Sequence, residues 1–221
     1  GFDHLIDVFG ADHHGYVARL KGALKALDYN PDVLDIKLLQ LVRLISNGEE
    51  VKMSKRTGKI VSLQELLSMV GINAARYFFV MRSLDTQMDF DLEIATKKSN
   101  ENPIFYISYA YARICTILNE QKEIKPVNKY TNITNEEAYN VLEQVYRFPE
   151  VVKDAASKEL PHLIANYVYD LAASFHIYYS KHRIISEDEA LTNESLNMIL
   201  AVKIVLKNAL DLIGVIPPEK M

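Results

Sequence analysis

The sequence predicts an α/β segment followed by an all-α helical bundle, so that the chain is predominantly helical overall. Two observations support this division. In the first part, short apolar runs alternate with Gly or Asn-Gly turns and amphipathic stretches, which is typical of α/β proteins. From about residue 92 onward, apolar residues recur almost entirely at the spacing of helices. We place the boundary near residue 95, which predicts one domain over 1–95 and a second over 96–221.

The composition is that of a globular protein without an overall basic charge. Of its 221 residues, 49% are hydrophobic and 24% are charged, and the formal net charge is −4. Any contact with a polyanion must therefore be local. The single cysteine, Cys115, excludes an internal disulfide, and no apolar run is long enough for a membrane span, so we predict no membrane association. A strand-like run begins within the first few residues, and we interpret this early start as a sign that the sequence is a fragment.

The first predicted elements form a strand–turn–helix unit. Residues 5–9 predict a short buried strand, which a Gly turn links to a helix that begins near Asp12. Gly10, Asp12 and His13 then follow the carboxyl end of a strand, where doubly wound sheets bind nucleotides. A plain helix N-cap is the alternative for Asp12. Because adjacent histidines diverge on a helix and no Cys or third His lies nearby, we predict no metal site at His13 and His14.

The next elements are predicted from turn and cap residues. The run IKLLQLVRLIS, followed by Asn47-Gly48, predicts a strand and a tight hairpin turn to a second strand, because Asn-Gly tolerates positive φ. A helix over the same run is the alternative. Ser62 and Glu65 then form a capping box for a helix that ends at Gly71.

In the second part, apolar spacing predicts long helices with one buried face each. One such stripe consists of Leu163, Tyr167, Leu171, Phe175 and Tyr178. A second stripe consists of Leu196, Ile199, Val202, Leu206, Leu210 and Ile213. Gly214 and the following prolines end the last helix.

Another helical stretch is rich in aromatic residues that could contact single-stranded RNA. It contains Tyr106, Tyr109, Tyr111 and Arg113. Unpaired bases stack on aromatic rings, and arginine stacks or binds phosphate. Core packing is the alternative for each tyrosine, and we assign Phe105, Tyr178 and Tyr179 to the core by default.

Residues 51–59, VKMSKRTGK, concentrate positive charge beside the predicted hairpin. They contain four cationic residues and no acidic one. Small and hydroxylated neighbours such as Ser54 and Gly58 let a backbone approach a phosphate, and a cationic loop is suited to charge that develops on a departing pyrophosphate. The loop is not a P-loop, since the Gly-rich lead-in is missing. A solvated basic loop is the alternative on composition alone.

The order of these residues adds a family resemblance. KMSKR resembles the KMSKS signature of class I aminoacyl-tRNA synthetases, with Arg56 in place of the last Ser. Several further blocks occur in an order that resembles bacterial arginyl-tRNA synthetases, and together they cover residues 1–221: GADHHGYVARLKGAL, VKMSKRTGKIVSLQELLSMVGINAARYFFVMRS, DFDLEIA, ENPIFYISYAYARI, YVYDLAASFHIYY and LIGVIPPEKM. Ser108 and Tyr111 stand where the family commonly has Gln and His.

The resemblance implies a fold and an activity. Residues 1–95 would be the C-terminal part of a class I (Rossmann-like) catalytic domain, and 96–221 an α-helical anticodon-binding domain. The implied enzyme is a cytoplasmic, monomeric arginine–tRNA ligase, which activates arginine with ATP and its Mg²⁺ counter-ion and transfers it to tRNA(Arg). We expect the chain alone to be inactive, because the family's HIGH-like motif and arginine pocket lie upstream. The alternatives are a tRNA-binding module or paralogue without aminoacylation, and a helical interaction domain with a coincidental KMSKR.

The resemblance also implies roles for individual residues. Lys52 and Lys55 would be catalytic, by stabilising the ATP phosphates. ATP or arginine would be bound by Gly10, Asp12, His13, Met53, Ser54 and Arg56. The tRNA anticodon would be contacted by Tyr106, Tyr109, Arg113, Tyr167 and Met221.

Overall fold

The computed structural model describes residues 2–51, 61–121 and 123–221. The chain forms two compact units, each of which is discontinuous in sequence. The first comprises residues up to 60 together with 82–92, and the second comprises 61–81 together with 93–221. The units therefore do not meet at the single boundary predicted near residue 95.

The first unit contains five short strands and one α-helix among its described residues. In chain order these are β1 (Leu5–Gly10), α1 (Tyr16–Ala26), β2 (Leu34–Leu39), β3 (Val42–Ser46), β4 (Glu49–Glu50) and β5 (Met88–Asp91). β1 and β2 form a parallel pair in which Leu5 lies opposite Leu34 and Gly10 opposite Leu39. β3 lies between β4, which is antiparallel to it, and β5, which is parallel.

The strands confirm part of the sequence prediction. The hairpin turn lies at Asn47-Gly48, where both residues have positive φ (52° and 77°), as a tight Asn-Gly turn requires. The run before it is extended, so the helical alternative was wrong, but it is divided into β2 and β3. The prediction that β1 is buried was also wrong, because Ile6 and Val8 are 51% and 59% exposed. A sheet of only two strands leaves such side chains uncovered.

The second unit is helical. It contains α2 (Leu63–Val70), α3 (Ile72–Val80), α4 (Leu92–Thr96), α5 (Pro103–Asn119), α6 (Glu136–Lys158), α7 (His162–Lys181) and α8 (Glu189–Leu212). The predicted capping box opens α2: Ser62 Oγ accepts from the N–H of Glu65 (3.2 Å), whose carboxylate accepts from the N–H of Ser62 (2.7 Å). Gly71 ends α2 with a φ of 79°.

The core of this unit lies around α7, which packs against α5, α6 and α8. The predicted stripes are confirmed: all their members are buried except Leu163, which is half-buried. α3 belongs to the same core, because Tyr77 is 1% exposed and its hydroxyl donates to the carbonyl of Ala165 on α7 (3.1 Å). This packing explains why residues 61–81 join the helical unit instead of the strands that precede them.

Candidate nucleic-acid interface

Helices α5 and α7 bring seven aromatic, histidine and arginine residues together on the second unit. On α5, Tyr106, Tyr109 and Arg113 are three and four residues apart, so they lie on one face of the helix. We define the α5–α7 aromatic surface as Phe105, Tyr106, Tyr109 and Arg113 from α5 with Tyr169, His176 and Tyr179 from α7.

His176 lies at the centre of this surface. Its ring centroid is 4.3 Å from that of Tyr106 and 5.9 Å from that of Tyr109. Its Nε2 atom is 3.1 Å from the backbone carbonyl oxygen of Tyr106. Because a carbonyl can only accept, Nε2 must carry the hydrogen. This bond fixes the ring orientation and thereby the position of the two tyrosines packed on it.

Arg113 supplies the positive charge. Its guanidinium carbon lies 4.3 Å from the ring centroid of Tyr109 and 4.4 Å from that of Tyr179, and Nη2 donates to the Tyr109 hydroxyl. Such cation–π contacts hold a guanidinium in place without neutralising it. Burial lowers the pKa of His176, and the charge of Arg113 lowers it further, against the opposing effect of the Tyr106 carbonyl. The imidazole is therefore mainly neutral at pH 7.

The surface is open to solvent at its rings. Tyr109 and Tyr169 are 37% and 38% exposed, and Tyr106 is half-buried. The ring of Tyr109 is nearly parallel to that of Phe105, with an interplanar angle of 8°. An exposed aromatic ring backed by a second ring, beside a fixed guanidinium, can stack a base and bind its phosphate. Tyr111 is instead buried, as the core-packing alternative predicted.

The structure does not bring Tyr167 to this surface. Tyr167 is buried, its ring lies 5.6 Å from that of Phe148, and its hydroxyl donates to the carbonyl of Gln144 (2.7 Å). It belongs to the buried stripe of α7, whose spacing already predicted a core position. We therefore leave Tyr167 out of the interface.

Met221 lies next to the surface through a shared cavity. An open cavity of about 300 Å³ is lined by Met221, Pro218, Ser108 and Phe105 together with residues of α2 and α3. Phe105 is common to this cavity and to the α5–α7 aromatic surface. The two features therefore border each other, and the role of Met221 in anticodon binding stays a prediction.

The sequence predicts only part of this surface. It indicates no binding role for Tyr169 and His176 and places Phe105 and Tyr179 in the core, although Tyr179 is half-buried and contacts Arg113. The available signal was the spacing of seven and three residues between 169, 176 and 179, which places all three on one side of α7.

In the first unit, Gly10 and Asp12 lie at the carboxyl end of β1, where a short 3₁₀ helix spans Ala11–His13. A Cβ atom on Gly10 would lie 2.5 Å from Asp12 Oδ1, so a side chain there would require the exposed Asp12 carboxylate to move. Asp12 lies inside the 3₁₀ helix and makes no cap hydrogen bond, which argues against the N-cap alternative. Its side chain is 82% exposed, with Oδ2 3.7 Å from Nε2 of His13. A carboxylate in this position can accept hydrogen bonds from ribose hydroxyls or pair with a guanidinium.

The predicted phosphate-binding loop lies outside the described residues. This applies to Lys52, Met53, Ser54, Lys55 and Arg56, whose roles stay predictions. Among the helices that the structure describes, none combines the length and apolar character needed to cross a bilayer.

The comparison with known families agrees with this geometry. Residues 107–221, more than half of the chain, match the family described as the DALR anticodon binding domain. The chain belongs to this family of anticodon-binding domains.

Longer comparisons show which enzymes the chain resembles. It is 47% identical to arginine–tRNA ligase 1 of Halalkalibacterium halodurans and 49% identical to arginine–tRNA ligase of Bacillus subtilis, in each case over 100% of this chain and 41% of the relative. The Thermus thermophilus arginyl-tRNA synthetase has the same fold, with a TM-score of 0.83 at 23% identity over 99% of this chain and 41% of that one. Over its whole length, the chain matches the C-terminal portion of bacterial arginyl-tRNA synthetases, which confirms the family resemblance.

Proposed function

We propose that the chain is the anticodon-binding and phosphate-binding portion of an arginine–tRNA ligase, in which the α5–α7 aromatic surface binds the anticodon loop of tRNA(Arg). The observation that carries this proposal is the exposed ring of Tyr109 with the Arg113 guanidinium held against it. Anticodon bases are unpaired and present their faces to such rings, and each stacked base is worth about 1–3 kcal/mol. A local guanidinium also provides the contact with a polyanion that a chain of net charge −4 cannot provide globally.

The proposed ligase reaction uses residues of the first unit as well. Gly10, Asp12 and His13 would border the pocket for arginine or the ATP ribose, and Lys52 and Lys55 would bind the ATP phosphates. In that reaction the carboxylate of arginine attacks the α-phosphate of ATP and pyrophosphate leaves. The protein needs no nucleophile of its own, because positioning and charge stabilisation are sufficient. ATP brings Mg²⁺ as its counter-ion, and we place the reaction in the cytoplasm in a monomeric enzyme.

The test is a binding titration of the chain with a tRNA(Arg) transcript and with the same transcript altered in its anticodon loop, at two salt concentrations. Tyr109→Ala should weaken binding of the unaltered transcript by about tenfold and reduce the preference for its anticodon, since one stacking platform is lost. Tyr139→Ala is the matched control, because Tyr139 is an exposed tyrosine (54%) on α6. Lys55→Ala should retain the anticodon preference while slowing adenylate formation in the complete ligase.

Each alternative predicts a different result. Equal and salt-sensitive binding of both transcripts would indicate a general polyanion surface and refute anticodon recognition by these residues. If Tyr109→Ala and Tyr139→Ala behave alike, the α5–α7 aromatic surface is not the interface. Equal loss of tRNA binding and adenylate formation in Lys55→Ala would refute the proposed division of roles between the two units.

A further inference from the structure

The segment after α8, residues 214–221, folds back onto α3; we call it the C-terminal tail. Gly214 opens it with a φ of 69°, and a Cβ atom there would lie 2.6 Å from Nη1 of Arg76 on α3. The positive φ therefore disfavours a side chain at this position, and the guanidinium end of Arg76 would also have to move to admit one. Val215 follows and is 1% exposed, so the first turn of the tail is anchored in the core.

Asn73 on α3 then binds the tail through a pair of hydrogen bonds. Its Nδ2 donates to the carbonyl oxygen of Ile216 (2.7 Å), and its Oδ1 accepts from the N–H of the same residue (3.2 Å). One carboxamide thus satisfies both polar groups of one residue's backbone, as a neighbouring strand would. The contact joins residues that are 143 positions apart in sequence, and it fixes the tail at one defined residue.

The residues that follow Ile216 restrict the backbone of the tail. Pro217 and Pro218 have restricted φ, and proline also restricts the residue before it, here Ile216. The direction of the chain from Ile216 to Pro218 is therefore restricted. It leads Pro218 and Met221 to the cavity that Phe105 also lines, and Phe105 packs in parallel on Tyr109.

We propose that Asn73 is a positioning residue for the nucleic-acid interface. It does not contact RNA; it holds the C-terminal tail so that Met221 extends the α5–α7 aromatic surface beyond Phe105. The Met221 side chain is 57% exposed, so its position depends mainly on the tail that carries it. This inference rests on the proposed function, and it assigns a role to a residue of α3, outside 107–221, the range that the family match covers.

The position of Met221 and the binding of tRNA are measured in separate experiments. The chain is labelled with ¹³C in its methionine methyl groups, and the Met221 signal is recorded in the wild type, in Asn73→Ala and in Asn73→Asp, which keeps an acceptor but loses the donor. The matched control is Asn140→Ala, an exposed asparagine on α6. We expect both Asn73 variants to move the Met221 signal towards that of a freely moving methionine, while the signal of Met198, which is fully buried, stays in place.

Binding is measured on the same variants with the two transcripts used above. Asn73→Ala and deletion of Met221 should each weaken binding of the unaltered tRNA(Arg) transcript by about fivefold, and the combined variant should lose no more than either alone, because both act through one contact. An unchanged Met221 signal in both Asn73 variants would overturn the proposal, as would losses that multiply in the combined variant. If the wild type does not distinguish the transcripts, the proposed function fails, and the Met221 signal still decides whether Asn73 positions the tail.

Discussion

Glu194→Gln should be among the most destabilising isosteric changes in the second unit. Glu194 lies on α8, is 3% exposed, and accepts five hydrogen bonds from residues 131–133. Oε1 accepts from the N–H (2.9 Å) and the hydroxyl (3.2 Å) of Thr131 and from Nδ2 of Asn132 (2.8 Å). Oε2 accepts from the N–H groups of Asn132 (2.8 Å) and Ile133 (2.9 Å). Glutamine has the same shape but only one accepting oxygen.

The size of the effect follows from the donors left without an acceptor. If the amide oxygen takes the place of Oε1, the NH₂ group faces two backbone N–H groups. Leaving a buried donor unsatisfied costs about 1–3 kcal/mol. The two together imply a loss of roughly 2–6 kcal/mol in the free energy of unfolding, which is a large share of the 5–15 kcal/mol that holds a typical domain together.

The same contact predicts how stability depends on pH. Burial opposes ionisation of Glu194, but the hydrogen bonds from Thr131, Ile133 and Asn132 outweigh it and lower the pKa to about 2 from an ordinary value of 4.5. A carboxylate with a lowered pKa stabilises the folded state fully above its unfolded pKa, and this contribution is lost as pH falls through the folded pKa. Wild-type stability should therefore decrease between about pH 4.5 and 2, and Glu194→Gln should show a shallower decrease.

The assay is urea unfolding followed by circular dichroism at helical wavelengths, since the chain has no tryptophan. Glu150→Gln is the control: Glu150 is 70% exposed and lies 3.6 Å from Lys153 on the same helix, so its change should be within about 0.5 kcal/mol. A loss below about 1 kcal/mol for Glu194→Gln, or an unchanged acid dependence, would refute the assignment of these donors.

Two further predictions concern helix ends. Asn102 is 4% exposed and caps α5: its Oδ1 accepts from the N–H of Ile104 (3.2 Å), and its Nδ2 donates to the carbonyls of Ala95 (3.1 Å) and Lys97 (3.0 Å). Asn102→Ala should cost about 2–4 kcal/mol in urea unfolding, and Asn102→Ser, which keeps an oxygen able to cap the helix, should cost less; equal losses would contradict a capping role. The hydrogen bond from Lys181, and then that from His182, lower the pKa of Glu137 to about 2, so Glu137→Gln should also flatten the loss of stability between pH 4.5 and 2. If the stability of Glu137→Gln falls between pH 4.5 and 2 as steeply as that of the wild type, the contact of Glu137 with Lys181 and His182 is not retained in solution.

The sequence predicts features that depend on neighbouring residues. The capping box at Ser62 and Glu65 and the hairpin at Asn47-Gly48 follow from local backbone chemistry, and both are present as predicted. The buried stripes of α7 and α8 follow from helical spacing in the same way. Tyr167 shows that this spacing was the more reliable signal, because the burial it implied contradicts the base contact that the family resemblance suggested.

Features that join distant parts of the chain could not be predicted. The boundary predicted near residue 95 groups α3 with the strands before it, since nothing in NAARYFF indicates that the Tyr77 hydroxyl donates to the carbonyl of Ala165. Helical spacing places His176 on one side of α7 with Tyr169 and Tyr179, but its contact with the carbonyl of Tyr106, 70 residues away, could not be predicted. The roles of Lys52 and Lys55 stay predictions.

The bond between Asn73 and Ile216 also constrains when the second unit can be completed during synthesis. At about 5–20 residues per second, the ribosome needs roughly 7–29 s to add the 143 residues that separate the two partners. Throughout that interval α3 has been made while the segment that will cover Asn73 does not exist. The apolar residues of α3 remain unburied until α5 and α7 have been made. The hydrogen bonds between Asn73 and the tail can form only after α8 has formed. Ribosome-bound nascent chains of increasing length should therefore acquire their final resistance to proteolysis in a last, separate step.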